Sequence, residues 1–290
     1  MQTRCLYEGP DLLGESPIWH AAEKKLYWVD AIKPALHALD PQSGQHQEWP
    51  MPALIGSIAV CKKGGLIAAI GQGFAWIDLP SGKVHMHAIV NEIGAAVHLN
   101  DGKCDRLGRF WAGEVCHDKI SAQGKLYCLD AQGQVTIKRT DLSLFNGPCW
   151  SPCNRFFYYT DSFQKAIYRC DYDLKTGTLG PKHPLIQIPA EDLSTPDGCT
   201  VDQEGYLWSA KWNGQRLTRY TPNGEIDQEY ALPMHRPTSC IFGGENQGTL
   251  FVTSCSQDLG EAVPLHDPYA GQLWALQFEQ YRGIAETAFG

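Results

Sequence analysis

The chain has 290 residues and a formal net charge of −8, with 19% charged and 43% apolar side chains. That balance is normal for a folded globular protein, and it excludes a surface for nucleic acid or anionic lipid, which needs clustered Lys and Arg. No run approaches the roughly 18 apolar residues of a membrane span, and Met1-Gln2-Thr3-Arg4 leads into a strand-like segment with no apolar signal core. The expectation is a cytoplasmic protein with neither nucleic-acid nor membrane partners.

In chain order, paired short apolar runs recur along the whole length. LYWVD (26–30) is followed by ALHALD (35–40), and GGLIAAI (64–70) by GFAWIDL (73–79). RFWAGE (109–114) is followed by KLYCLD (125–130), and RFFYYTD (155–161) by AIYRCD (166–171). YLWSAK (206–211) precedes RLTRYT (216–221), and TLFVTS (249–254) precedes QLWALQ (272–277). A third segment stands ahead of each pair: SPIWH (16–20), SIAVC (57–61), KCDR (103–106), PCWSP (148–152), CTVD (199–202) and SCIF (239–242). Indexed on Trp28, Ala68, Trp111, Tyr158, Trp208 and Val252, the units are 40 to 50 residues apart. No period-3.6 stripe runs between Gly and Pro stops, so a helical solenoid is excluded. Short strands at a period in the forties imply one four-stranded sheet per unit. The expected fold is all-β, a single domain over 1–290. It is a six-bladed β-propeller of four-stranded antiparallel blades around a central channel. RCLYE (4–8) is expected to close the ring by pairing with the last blade, hiding an otherwise bare edge.

The stretch LNDGKCDRLGRFWAGE (99–114) shows how a unit is written. A polar knot, Asn100-Asp101-Gly102-Lys103, is followed by the turn Asp105-Arg106-Leu107-Gly108 and an aromatic run. Gly tolerates positive φ and Asp bonds its own backbone, so both suit the turn. The same order returns at FNGPCWSPCNRFFYYTDS (145–162) and TPDGCTVDQEGYLWSAK (195–211).

In a propeller the starts of the innermost strands ring the channel, and here those positions hold Glu15, Gly56, Asn100 with Asp101, Asn146, Asp197 and Thr238. A lone acid at a turn is usually a turn former. Glu15, Asn146 and Asp197, however, come from three blades and should converge on one axial spot. Two carboxylates and an amide oxygen make a hard ligand set suited to a divalent cation.

Other chemistry is thinly represented. There is no G-x-S-x-G elbow and no HExxH helix. Ser16 and Ser151 sit in turn contexts without a partner His. Eleven cysteines at scattered spacings read as reduced, mostly structural thiols. Cys149 and Cys153 have no second pair to complete a zinc site. His85, His87 and His98 fall in or beside a segment, 81–98, expected to be a loop over the channel mouth. Trp150, Trp208 and Trp212 are expected to pack between blades.

Five blocks in order, LGESPIWH (13–20) with LYWVD, NDGKCDRLGRFWAGE (100–114), NGPCWSPCNRFFYYTDS (146–162), PDGCTVDQEGYLWSAKW (196–212) and RPTSCIFGG (236–244), resemble the SMP-30/gluconolactonase/luciferin-regenerating-enzyme family over essentially the full length. The resemblance implies one divalent cation (Ca²⁺, Zn²⁺, Mg²⁺, Mn²⁺ or Fe²⁺) held by Glu15, Asn146 and Asp197, with Asn100 on the substrate. Many relatives carry Arg where this chain has His98, which lacks the planar fork of Arg. Asp118 falls near a substrate-contacting acid of some relatives. The implied activity is hydrolysis of an aldono-1,4- or 1,5-lactone, of gluconolactone, arabinonolactone or xylonolactone type. Asp197 would serve as ligand and proton acceptor together, in a monomer or weak homo-oligomer. Two alternatives stand beside it: an arylesterase- or organophosphatase-like hydrolase, and a non-catalytic divalent-cation-binding propeller.

Overall fold

The computed structural model describes residues 2–91, 97–118, 122–257 and 267–290, and among them every regular element is a strand. The strands form six four-stranded antiparallel sheets. Five sheets take their strands in chain order from centre to rim. In the sixth, Gln2–Tyr7 pairs with Leu273–Gln277, so the first strand of the chain becomes the outermost strand of the last blade. That is the closure expected of RCLYE. The inner strands are Gly14–His20, Ile55–Val60, Val97–Cys104, Phe145–Trp150, Thr195–Val201 and Pro237–Gly243. Each packs against the inner strands on both sides, the first against the sixth, and the six sheets stand as a propeller.

This architecture explains why the strand runs are apolar without alternation. A blade is covered on both faces by its neighbours, so Ala35–Leu39 and Leu66–Ile70 are buried at every position. The core is correspondingly divided into six clusters, each filling the gap between consecutive blades. Trp28, Trp111 and Trp208 are wholly buried in three of them, and truncating any one to Ala would cost about 3–5 kcal/mol. Trp150 and Trp208 pack between blades as expected, but Trp212 is only half-buried.

A repeated turn holds inner and second strands together. In blade three the Asp105 carboxylate accepts from the backbone N–H groups of Leu107 (2.9 Å) and Arg109 (3.1 Å) and from the Trp111 indole (2.9 Å). In blade five Asp202 does the same for Glu204 (3.0 Å), Tyr206 (3.0 Å) and Trp208 (2.9 Å). The glycine three residues after each Asp is left-handed, at φ +82° and +88°, which only glycine adopts freely.

Two expectations are corrected. The fourth strands, such as Lys83–Ile89 and Ile226–Ala231, are largely exposed and interrupt their apolar residues with charged, amide or imidazole side chains, so no apolar run marks them. The first of these takes up residues 83–89 of the segment 81–98 read as a channel loop, of which residues 92–96 lie outside the described residues. The inner strands also begin earlier than the apolar runs suggest: in blade three the strand is Val97–Cys104 rather than 103–106. The polar residues of the site therefore lie inside strands, not ahead of them.

Candidate functional site

All six inner strands break register with their neighbours at one level: Glu15/Ile18, Ile55/Ser57, Leu99/Gly102, Asn146/Cys149, Pro196/Cys199 and Pro237/Cys240. A bulge leaves a residue out of the ladder and re-aims its side chain. Glu15, Asn100, Asn146 and Asp197 all sit at these bulges, and all four line one cavity of ≈ 460 Å³. Two of the bulges rest on left-handed backbone directly after the site residue, Ser16 at φ +47° and Gly147 at φ +55°. A side chain at Gly147 would have its Cβ 2.7 Å from the Cys199 backbone nitrogen, so blades four and five are in tight contact at this point.

Hydrogen bonds fix which atoms face inward. The Asn100 amide nitrogen donates to the Phe145 carbonyl and to Asn146 Oδ1, both at 2.9 Å. The Asn146 amide nitrogen donates to Ser162 Oγ at 2.9 Å. Ser162 in turn donates to the Pro196 carbonyl at 2.8 Å. Both amide nitrogens are thus engaged, and the amide oxygens are left with unused lone pairs. Among the described residues, Glu15 Oε2 accepts only from the Ser16 backbone N–H (3.2 Å), and Asp197 Oδ1 is buried with no hydrogen-bond partner. The floor of the cavity is made of acceptors.

The charges agree with that reading. Burial first, then the Asp197 and Asp101 carboxylates, push Glu15 well above the usual carboxylate range. Burial and Asp101 do the same to Asp197. Asp101 itself is raised by burial, with Lys103 opposing. Its two oxygens accept from the Gly102 and Gly147 backbone N–H groups, each at 2.7 Å. Asp101 therefore staples the blade-four bulge rather than facing the cavity. Like charges packed without donors call for a cation or for protons. Among the described residues no three His, Cys, Asp or Glu side chains converge as metal ligands; the set formed here has two carboxylates and takes its remaining oxygens from amides. Asp197 Oδ1, orphaned and buried, is the atom that most needs such an ion, and the donor set fits a hard divalent cation.

Leu13, Leu144, Phe163 and Trp212 supply apolar walls, and Lys165 and Gln257 reach the rim. Trp212 is held there by the Arg236 guanidinium, 5.3 Å from its ring centre. Arg236 is itself bonded to Asn213 Oδ1 at 2.9 Å. The sequence reading did not single out Ser162, Phe163 or Lys165, and it set Trp212 between blades, whereas the strand's last residue, Trp212, lines the cavity.

The remaining sequence candidates are elsewhere. His98 does not line the cavity; its Nδ1 lies 2.6 Å from Nε2 of the exposed His117. Burial and His117 push its pKa down to about 4. Asp118 is exposed just past the second strand of blade three. His87 binds the Gly133 carbonyl at 2.9 Å and packs on Trp76, so it serves the rim between blades two and three. The eleven cysteines are all free, nine of them buried, in keeping with structural thiols. Among the described residues no helix is long and apolar enough to cross a membrane.

Comparison with known proteins follows the same lines. The chain is 33% identical over 288 residues to a 6-deoxy-6-sulfogluconolactonase of Pseudomonas putida, covering 99% of this chain and 98% of that protein. It is 33% identical over 296 residues to regucalcin of Xenopus laevis, covering 100% and 98%. The crystal structure of a calcium-binding protein, regucalcin, from Agrobacterium tumefaciens superposes with a TM-score of 0.93 at 26% identity, covering 100% of this chain and 97% of that one. The profile of the SMP-30/Gluconolactonase/LRE-like region matches residues 13–256, and with those relatives it assigns the chain to the SMP-30/gluconolactonase/LRE-like family.

Proposed function

We propose that the protein is a divalent-cation-dependent lactonase that opens an aldono-1,4- or 1,5-lactone to the aldonic acid. The observation that carries this reading is the acceptor-only floor, with Asp197 Oδ1 buried and unpartnered between side chains from four blades. Lactonase-named relatives such as the 6-deoxy-6-sulfogluconolactonase at 33% identity supply the substrate class. The relative titled as a calcium-binding protein supports the cation.

Glu15, Asn146 and Asp197 would hold the cation, which when bound supplies Lewis-acid polarisation of an acyl oxygen and acidifies water. The Asp197 carboxylate, ligand and base together, accepts the proton of the attacking water. The C–O bond of the lactone ring breaks as the new C–O bond forms, and the proton passes to the departing ring oxygen. The product is an open-chain hydroxy acid, with atoms and charge balanced. General-base assistance of this kind contributes roughly 10²–10⁴-fold. Asn100, with both N–H bonds engaged, presents Oδ1 as an acceptor for a sugar hydroxyl. Trp212 and Phe163 offer the flat apolar surface that the carbon face of a sugar ring requires. A cavity of ≈ 460 Å³ is of the size that holds a small ligand.

The test is a pH-indicator assay over a panel of 1,4- and 1,5-sugar lactones, on protein of measured metal content, with and without chelator. Lactone opening that chelator abolishes and one divalent ion restores is the expected result. Cation binding with no turnover of any lactone would favour a binding-only propeller, and turnover of aryl esters alone would favour an esterase. Turnover untouched by chelator would overturn the cation's role.

A further inference from the structure

A cation at this site needs the oxygen edge of the Asn146 side chain, and a primary amide can present either edge. The Asn100 N–H holds the oxygen edge, and one hydroxyl holds the other. Ser162 follows the second strand of blade four, Phe156–Asp161, and is buried. Its Oγ lies 2.8 Å from the Pro196 carbonyl of blade five. A carbonyl only accepts, so the single hydroxyl proton is committed to it. Toward its other neighbour, 2.9 Å away on Asn146, Oγ can therefore only accept. That neighbour must be the NH₂ group, and Asn146 Oδ1 is turned toward Asn100 and the cavity. The result is a one-way chain: Asn100 to Asn146, Asn146 to Ser162, Ser162 to the carbonyl just before Asp197. Thr160 Oγ1 anchors the next carbonyl, that of Asp197 itself, at 3.0 Å.

We infer that Ser162 is the positioning residue of the site: its hydroxyl fixes the amide of Asn146 and ties it to the backbone that carries Asp197. This rests on the cation reading above. Nothing local in the sequence reports it, because Ser162 lies 16 residues from Asn146 and 34 from Pro196. Without the hydroxyl only the Asn100 N–H, 2.9 Å from Oδ1, still orients the amide, and each turn of the amide brings forward an NH₂ edge that repels a cation. Losing a group that orients a ligand typically costs 10–100-fold in metal affinity.

The experiment is a double-mutant cycle on cation affinity, read by chelator competition with Ca²⁺ and Mn²⁺ as probes. Ser162→Ala is expected to weaken binding 10–100-fold while leaving the thermal midpoint within a few degrees. In an Asn146→Asp background both edges of residue 146 are oxygen, so the same Ser162→Ala change should alter affinity by less than about 2-fold. Equal losses in both backgrounds, or none in the Asn146 background, would overturn the inference. A readout independent of any cation keeps the two proposals apart. The side-chain NH₂ of Asn146, observed by ¹⁵N NMR, should exchange with solvent at least 10-fold faster in Ser162→Ala. If the wild-type protein binds no divalent ion, the functional reading falls and this exchange rate still decides the role of Ser162. An unchanged rate would refute it.

Discussion

Lys211 is expected to be a residue whose removal strengthens the protein. It lies in the second strand of blade five, Leu207–Trp212, wholly buried, and among the described residues its Nζ has no hydrogen-bond partner. The face of Tyr220, 4.8 Å away, and the charges of Asp192 and Glu229 compensate it in part. Burial, aided by the Arg216 charge, lowers the pKa from 10.5 to about 7. The folded state thus refuses a proton that the unfolded chain binds at any pH below 10.5. Stability attributable to this group is full above that pH and is lost as pH falls toward 7. At 1.36 kcal/mol per pH unit the gap amounts to roughly 4–5 kcal/mol. Lys211→Met keeps the stem and deletes the amine, forgoing a cation–π attraction of about 0.5–2 kcal/mol. The variant should therefore be more stable than the wild type by about 2–4 kcal/mol at pH 7, with the difference shrinking toward zero near pH 10. Urea unfolding of both proteins at pH 7 and 9.5 measures it. Other groups that titrate in the interval, such as Asp11 with its pKa raised by burial to about 8, cancel in the comparison. A gap that does not change with pH, or a destabilised variant at pH 7, would refute the assignment of an incompletely compensated buried amine.

Asp197→Asn should lower lactone opening by at least roughly 10²-fold and weaken cation binding together; retained turnover would remove Asp197 from the chemistry. Glu15→Gln should weaken cation affinity in the same chelator assay, and unchanged affinity would exclude Glu15 from the ligand set. Glu286 pairs with Lys103 at 3.7 Å, both side chains under a fifth exposed. Breaking such a pair costs up to 3–5 kcal/mol when fully buried, so with partial hydration Glu286→Gln should lower stability by about 1–3 kcal/mol in urea; no change would mean that water already separates the pair. Deleting residues 2–7 strips the outer strand from blade six and exposes a bare edge, so the melting temperature should fall and self-association should appear in sedimentation.

The two-strand motif that repeats six times is legible because each blade is buried on both faces, which forces continuous apolar runs such as LIAAI (66–70). The outer strands are not legible, since Lys83–Ile89 faces solvent and nothing in its composition separates it from a loop. Within the site, Glu15, Asn100, Asn146 and Asp197 could be found because they precede apolar runs at a repeated place in the unit. His98 could not be placed, because its partner His117 lies across a strand pair and satisfies it outside the cavity.

What the sequence alone determined is local: strand periodicity, the Asp-x-x-Gly turns, and the polar residues ahead of each apolar run. What only the tertiary structure decided is directional. The bulges aim four side chains from four blades at one cavity, and Ser162 and Asp101 hold those bulges from neighbouring strands and blades. The physical reason is that a hydrogen bond's direction depends on which two atoms meet, and these partners, up to 46 residues apart, meet only once the ring has closed.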